Sequence, residues 1–358
     1  MEKKRFIAVI TVFVLISLLI NYLFINTIFL SLNLHKGLVF YLLLLFLSFS
    51  YPLTVFFERY RPMIVTKIFY RVASIWIGMA FFSVFVFLVY QIFLLFFPID
   101  KSIGSTVVLS FIFIMSVIAL INGKKLKVNL VDIEIKGLKK DLKIVQLSDL
   151  HIGAIHRKKY LEKVVKETNS LDPDVVVITG DLVDGSTVIS NGILSSINKI
   201  KSPVYFVVGN HDIYEGLDKI MPVLKKLKMK VLRDTKVKFK DVNFIGIDYS
   251  DFKEEISEKL NKINVDKNKV NILLYHAPMF TLEELNKKGI DLHLAGHTHD
   301  GQIFPFNLFI RLMYQYPRGL YKSGDSSIFV SSGTGTWGPP MRLGSSNEIN
   351  LINLISKK

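Results

Sequence analysis

Two of the eight histidines stand two residues apart in the stretch GHTHDGQ (296–302), as His297 and His299, directly after the apolar run IDLHLA. The arrangement recurs along the chain. KIVQL (143–147) runs into Ser148, Asp149, Leu150 and His151. DVVVIT (174–179) runs into Gly180 and Asp181, PVYFVV (203–208) into Gly209, Asn210, His211 and Asp212, and NILLY (271–275) into His276. One Asp or His after such a run is an ordinary turn or cap residue. Five in a row, each delivering Asp, Asn or His at the same end, point to a shared purpose. These side chains are oxygen and nitrogen donors, and mixed carboxylate–imidazole sets suit manganese, iron or zinc rather than soft-metal thiolate sites. Seven such donors are too many for one ion. They fit two divalent ions about 3.5–4 Å apart that share a bridging carboxylate.

The runs that carry these residues have strand length and are rich in Val and Ile. VNFIGI (242–247), SIFVSS (327–332) and EINLINL (348–354) add to them, and the alternation in 124–142 predicts a lead-in strand. Helical patterns lie between: 158–171, 192–200, 217–229 and 281–289. Strands alternating with helices predict an α/β domain. In open α/β sheets ligands bind at the carboxyl ends of strands, so the donors can converge on one site.

The ordered blocks SDLHIG, TGDLVDG, GNHDIY, YHAP and GHTHDGQ resemble the calcineurin-like metallophosphoesterases. The resemblance covers about residues 128–356, and the closing SSGTGTWGPPMRLGSSNEINL is similar to the bacterial membrane-anchored branch. It implies a four-layer αββα sandwich. It further implies that Asp149, His151 and His299 hold a first metal, that Asn210, His276 and His297 hold a second, and that Asp181 bridges them. On the same resemblance His211 assists the leaving group, and Asp212 is expected to hold its ring. Two ions so placed would give hydroxide from a bridging water near neutral pH and orient phosphorus for in-line attack. The alternative, a non-catalytic scaffold or membrane sensor keeping the fold, goes in such families with lost ligands, and this chain keeps all seven.

The chain before about residue 123 is of another kind. Half of the 358 residues are hydrophobic and the mean hydropathy is +0.38. The excess collects in four runs without Asp, Glu, Lys or Arg that need no catalytic reading, roughly 6–34, 37–57, 72–99 and 103–122, with Asp100 and Lys101 between the last two. Each is near or above the ~20 residues that cross a bilayer as a helix. The first run is too long for a signal-peptide core and is expected to stay as an anchor. MEKKR, the segment 58–71 with Arg59, Arg61, Lys67 and Arg71, and GKKLK (123–127) concentrate positive charge on one side. Positive loops face the cytoplasm, so both the N-terminus and the catalytic domain are expected inside the cell membrane. The spans carry no ionisable side chain, which argues for an anchor over a transporter.

The domains expected are therefore a four-helix transmembrane anchor, 1–123, and a catalytic domain, 124–358. The net charge of +15 comes without a nucleic-acid motif, so the expected partners are anionic headgroups and a phosphoester substrate, lipid-linked or soluble, and not nucleic acid. The absence of cysteine fits a cytoplasmic placement. Among the remaining residues, His156 reads as a surface residue at a helix start, His293 as packing and Asp184 as a cap or turn. Trp337 and Arg342 fall in the glycine-rich closing loop, Arg342 being suited to a structural role or to a substrate phosphate. Asp300 stands in the turn after His299.

Overall fold

The computed structural model describes residues 2–187, 189 and 192–357. Its first part is four helices, α1 (Glu2–Ser31), α2 (Leu38–Tyr60), α3 (Ile64–Phe96) and α4 (Lys101–Lys124). All four are long and apolar enough to cross a membrane. Polar groups stitch them at few points, as expected where hydrocarbon cannot satisfy them. Ser17 Oγ donates to the Ser48 carbonyl at 3.0 Å, and Trp76 Nε1 donates to Asn21 Oδ1 at 2.8 Å. The charged segment 58–71 is not a loop. α2 runs on to Tyr60 and α3 already begins at Ile64, so Arg59, Lys67 and Arg71 ride on helix ends.

The rest alternates as predicted. In order come β1 (Leu126–Lys136), β2 (Leu142–Leu147), α5 (Lys158–Ser170), β3 (Val175–Thr179), β4 (Val204–Val207), α6 (Asn210–Glu215), α7 (Leu217–Leu224), β5 (Lys230–Val231), β6 (Thr235–Phe239) and β7 (Val242–Gly246). Then follow α8 (Lys253–Asn261), β8 (Val270–Leu274), α9 (Leu282–Lys288), β9 (Leu292–Ala295), α10 (Phe306–Met313), β10 (Gly319–Ser323), β11 (Ser326–Val330) and β12 (Asn347–Lys357). Two predicted helices are shorter: 192–200 contains only a 3-10 turn at Ser195–Lys199, and the helix expected over 217–229 stops at Leu224, two residues after Pro222.

The strands form two six-stranded sheets, β1-β12-β2-β3-β4-β5 and β10-β11-β9-β8-β7-β6. Successive strand residues face opposite sides. Ile144, Val175 and Val177 therefore point between the sheets, where they meet Phe244, Ile272 and Leu292. Val145, Val176 and Ile178 point outward, onto Leu161 and Val164 of α5. On the far side Ile245 and Leu273 pack under Ile256, Leu260 and Leu285 of α8 and α9. Three apolar layers separated by two sheets are the αββα sandwich. β2, β3 and β4 run parallel in one sheet, as do β7, β8, β9 and β11 in the other, so the ends that carry the donors gather along one edge.

Candidate metal centre

Five of the seven donors sit on strained turns. Asp149 (φ 52°), His151 (46°), Asp181 (52°), His297 (72°) and His299 (51°) all lie in the left-handed region, which non-glycine residues avoid. Such conformations cost about 1–3 kcal/mol each and persist where surrounding structure over-determines them. Here they turn His297 and His299 inward together, which alternation on an extended strand would forbid. Glycines open the room. A Cβ on Gly209 would meet the Asp181 carboxylate, and one on Gly296 would meet the Ser148 hydroxyl and the Asp149 carboxylate.

The donors fall into two groups. In the first, His151 Nε2 lies 3.0 Å from His299 Nε2, and His299 Nε2 lies 3.5 Å from Asp149 Oδ1. In the second, Asn210 Oδ1 lies 3.1 Å from both His276 Nε2 and His297 Nδ1, and those two nitrogens are 3.2 Å apart. Asp181 Oδ2 reaches both groups, 3.7 Å from His151 Nε2 and 3.2 Å from His276 Nε2. Asp149, His151 and His299 could hold one ion, and Asp149, Asp181 and His276 also converge closely enough for one.

The surroundings set the rings. His276 Nδ1 donates to the Thr179 carbonyl at 2.8 Å, which turns the Nε2 lone pair into the site. His151 Nδ1 faces the Asp184 carboxylate at 3.5 Å. Burial works against charge on both His276 and Asp181, yet their mutual attraction wins. It lifts His276 to about 9, and His276, His211 and His151 hold the Asp181 carboxyl well below the ordinary range. Burial, reinforced by His276, pulls His297 down to about 3. The cluster draws positive charge toward two buried carboxylates and offers neutral imidazole lone pairs beside them. That donor chemistry fits divalent ions.

Three residues sit differently from the sequence expectation. Asp212 does not hold the His211 ring. Its carboxylate accepts the backbone N–H groups of Asp181 (2.9 Å), Val183 (3.1 Å) and Gly209 (2.8 Å). Asn210 opens the short helix α6, and neighbouring residues on a helix do not face each other. The ring is held instead by Asp184, whose main-chain carbonyl accepts from His211 Nδ1 at 3.0 Å. Asp184 thus does more than cap a turn, since its carboxylate also lies within reach of both His151 and His211. His156 is not a surface residue. It is buried, its ring centroid 4.1 Å from that of Tyr160 and tilted by 32°, with Nε2 accepting the Thr336 N–H at 3.0 Å.

The other residues sit where the reading allowed. Arg342 is wholly buried and bonds the His299 carbonyl (2.7 Å) and the Ser332 carbonyl (2.8 Å), so its role is structural. His293 packs in the core with Nε2 on the Tyr275 carbonyl. Asp300 pairs with Arg318 at 3.0 Å. Trp337 stands exposed, its ring 5.7 Å from His211.

The family model described as calcineurin-like phosphoesterase matches residues 142–301, which contain all seven donors. An uncharacterized metallophosphoesterase of Aquifex aeolicus is 34% identical over 244 residues, 65% of this chain and 93% of that one. The chain belongs to the calcineurin-like metallophosphoesterases. Its matched domain is a metal-dependent phosphoesterase domain of a dimetal family. An uncharacterized metallophosphoesterase of Helicobacter pylori is 38% identical over 240 residues, 64% of each chain. The chain thus spans just under two thirds of the length of that relative. A transmembrane protein with metallophosphoesterase domain from Bos taurus is 31% identical over 268 residues, 67% of this chain and 60% of that one. With its four long apolar helices, this metallophosphoesterase is a membrane protein.

Proposed function

We propose that the chain is a membrane-anchored two-metal phosphohydrolase, with residues 1–123 as anchor and 124–358 as catalytic domain. Asp149, His151 and His299 would hold one ion, Asn210, His276 and His297 the other, and Asp181 would bridge. The observation that supports this most is the division of the donors into two close groups with the Asp181 carboxylate in reach of both. Manganese, iron and zinc all suit the set.

Two divalent ions held there would supply Lewis acidity to a phosphoester and to a bound water. The chain's own residues orient and protonate. His211 donates its Nδ1–H to the Asp184 carbonyl, which turns Nε2 toward the leaving oxygen; as the imidazolium it passes the Nε2 proton to that oxygen and is left neutral. Asp212 fixes the backbone of the Asp181 and Gly209 loops and so positions both the bridge and Asn210.

The substrate we favour is a lipid-linked phosphodiester or pyrophosphate. α10 supports this. It leaves Leu308, Phe309, Leu312 and Met313 bare to the outside, while the rings of Phe306 and Phe304 meet Phe81 (6.1 Å) and Phe85 (5.1 Å) on α3. A helix with one bare apolar face, seated against a membrane span, suits the interface. Tyr314, just past α10, stands 5.9 Å from the His297 ring, so the site opens beside that face. The flanking basic residues support a cytoplasmic position for this side.

Metal content of the full chain in lipid nanodiscs tests the assignment. Wild type should bind two ions per chain. His299→Ala and Asn210→Ala should each lose one, and Asp181→Ala should weaken both. A wild type that takes up a single ion, or two variants that lose nothing, would contradict it.

A further inference from the structure

A second concave site lies between the two halves of the molecule. It is a cavity of about 340 Å³ lined by Arg71 and Ile75 of α3, Leu120, Gly123 and Lys124 of α4, and Ile155, His156, Tyr160 and Pro340 of the catalytic domain. None of the seven donors lines it.

The order of its lining residues is what a membrane border demands. Arg71 immediately precedes the third uncharged run, and Lys124 stands two residues after the fourth. Ile75 and Leu120 lie one helical turn deeper, four residues along from each cation. The cavity therefore has cations at the bilayer edge and apolar walls just inside. Among the described residues neither Arg71 nor Lys124 has a carboxylate within ion-pair distance. His156 supplies a third polar group. Its Nε2 accepts from Thr336, which leaves the proton on Nδ1 as a donor.

We propose that this cavity binds a phosphate-bearing anion, supplied as the headgroup of an anionic phospholipid in the adjoining leaflet. Arg71 and Lys124 take the phosphate oxygens by charge-assisted hydrogen bonds, and Ile75 and Leu120 meet the first carbons of the acyl chains. The site does not depend on what the metal centre cleaves. It does adjoin the metal centre's support. His156 holds Thr336, and the Tyr160 hydroxyl donates to the Thr334 carbonyl. Between them, Thr334 N–H bonds the Ser148 carbonyl (2.7 Å) and Gly335 N–H the Asp149 carbonyl (2.9 Å). A headgroup seated here braces the turn that presents Asp149.

The test is calorimetric titration of the metal-stripped full chain, in a neutral detergent, with dihexanoyl phosphatidic acid and separately with inorganic phosphate. Wild type should bind the lipid, and R71Q/K124Q should bind it about tenfold more weakly or worse. K125Q, which removes the neighbouring exposed lysine, should bind as wild type does. Should the double variant fail to fold, K124Q alone carries the comparison. Tight binding of the lipid with weak binding of phosphate establishes the membrane source. Equal binding of both, lost together in R71Q/K124Q, keeps the site and makes the anion a soluble one. Unchanged lipid binding in R71Q/K124Q, or an equal loss in K125Q, overturns the proposal, because the attraction would then be general surface charge.

Discussion

The four spans and the strand ends hold their structure in opposite ways. In the spans, most side chains are interchangeable apolar groups, and among the described residues the polar bonds between helices are few, such as Ser17 to Ser48 and Trp76 to Asn21. At the strand ends nothing is interchangeable. Five residues sit in strained left-handed conformations, two glycines leave room that a methyl group would close, and the His211 and His276 rings are aimed by main-chain carbonyls. The spans are specified by composition and the metal centre by position. The two meet at Glu58. This buried carboxylate accepts from Thr66 Oγ1 at 2.5 Å within the helical half and from Thr187 Oγ1 at 3.0 Å in the loop after Asp184. Beside it Arg59 donates to the Gly185 and Tyr214 carbonyls.

Substitutions can break or sharpen that contrast. The largest effect is expected for Asp181→Ala, which removes the carboxylate set between the two donor groups. Turnover should fall by about a thousandfold or more with the fold kept by circular dichroism. His211→Ala should follow, losing roughly a hundredfold to ten-thousandfold in kcat while two ions stay bound in metal analysis. Retained rate on an ester with a poor leaving group would remove its role.

At the junction, Thr187→Val takes one partner from buried Glu58 and should cost about 1–3 kcal/mol in denaturant unfolding. A pH effect is expected from one core histidine. Burial, against one bond to the Tyr275 carbonyl, holds His293 down at about 4. The unfolded chain binds a proton there near pH 6.5 and the folded chain does not. Folding stability that is intact above about pH 6.5 should therefore decline as pH falls toward 4. His293→Gln, which keeps a donor for the Tyr275 carbonyl, should flatten that decline. In the spans, Val72→Leu on an exposed face of α3 should change thermal stability by less than about 0.5 kcal/mol. A loss as large as that of Thr187→Val would break the contrast.

The same difference explains what could be read from the sequence. Long uncharged runs announce spans by composition, and ordered Asp, Asn and His after Val/Ile strands announce a metal centre by position. What escaped was local geometry. Asp212 follows His211 in sequence, but the helix that starts at Asn210 turns the two side chains apart, and the ring partner comes from Asp184 on another loop. His156 looked like surface because its burial depends on Tyr160 and on Thr336, 180 residues away. α8 shows only Ile256 and Leu260 to the core, too few to mark a helix. β6 and β10 are edge strands with lysines, TKVKF and GLYKS, and lack a continuous apolar run.

The central claim is that the two donor groups form one hydrolytic site. The most direct test is hydrolysis of an aryl phosphodiester and its monoester by the full chain in nanodiscs. The protein is stripped of metal and then supplied with manganese, iron, zinc or magnesium, beside Asp181→Ala. Cleavage should appear only with metal and vanish in Asp181→Ala, and the preferred ester narrows the substrate class. With two ions demonstrably bound, no cleavage of these esters or of a lipid-linked phosphodiester or pyrophosphate would contradict the account.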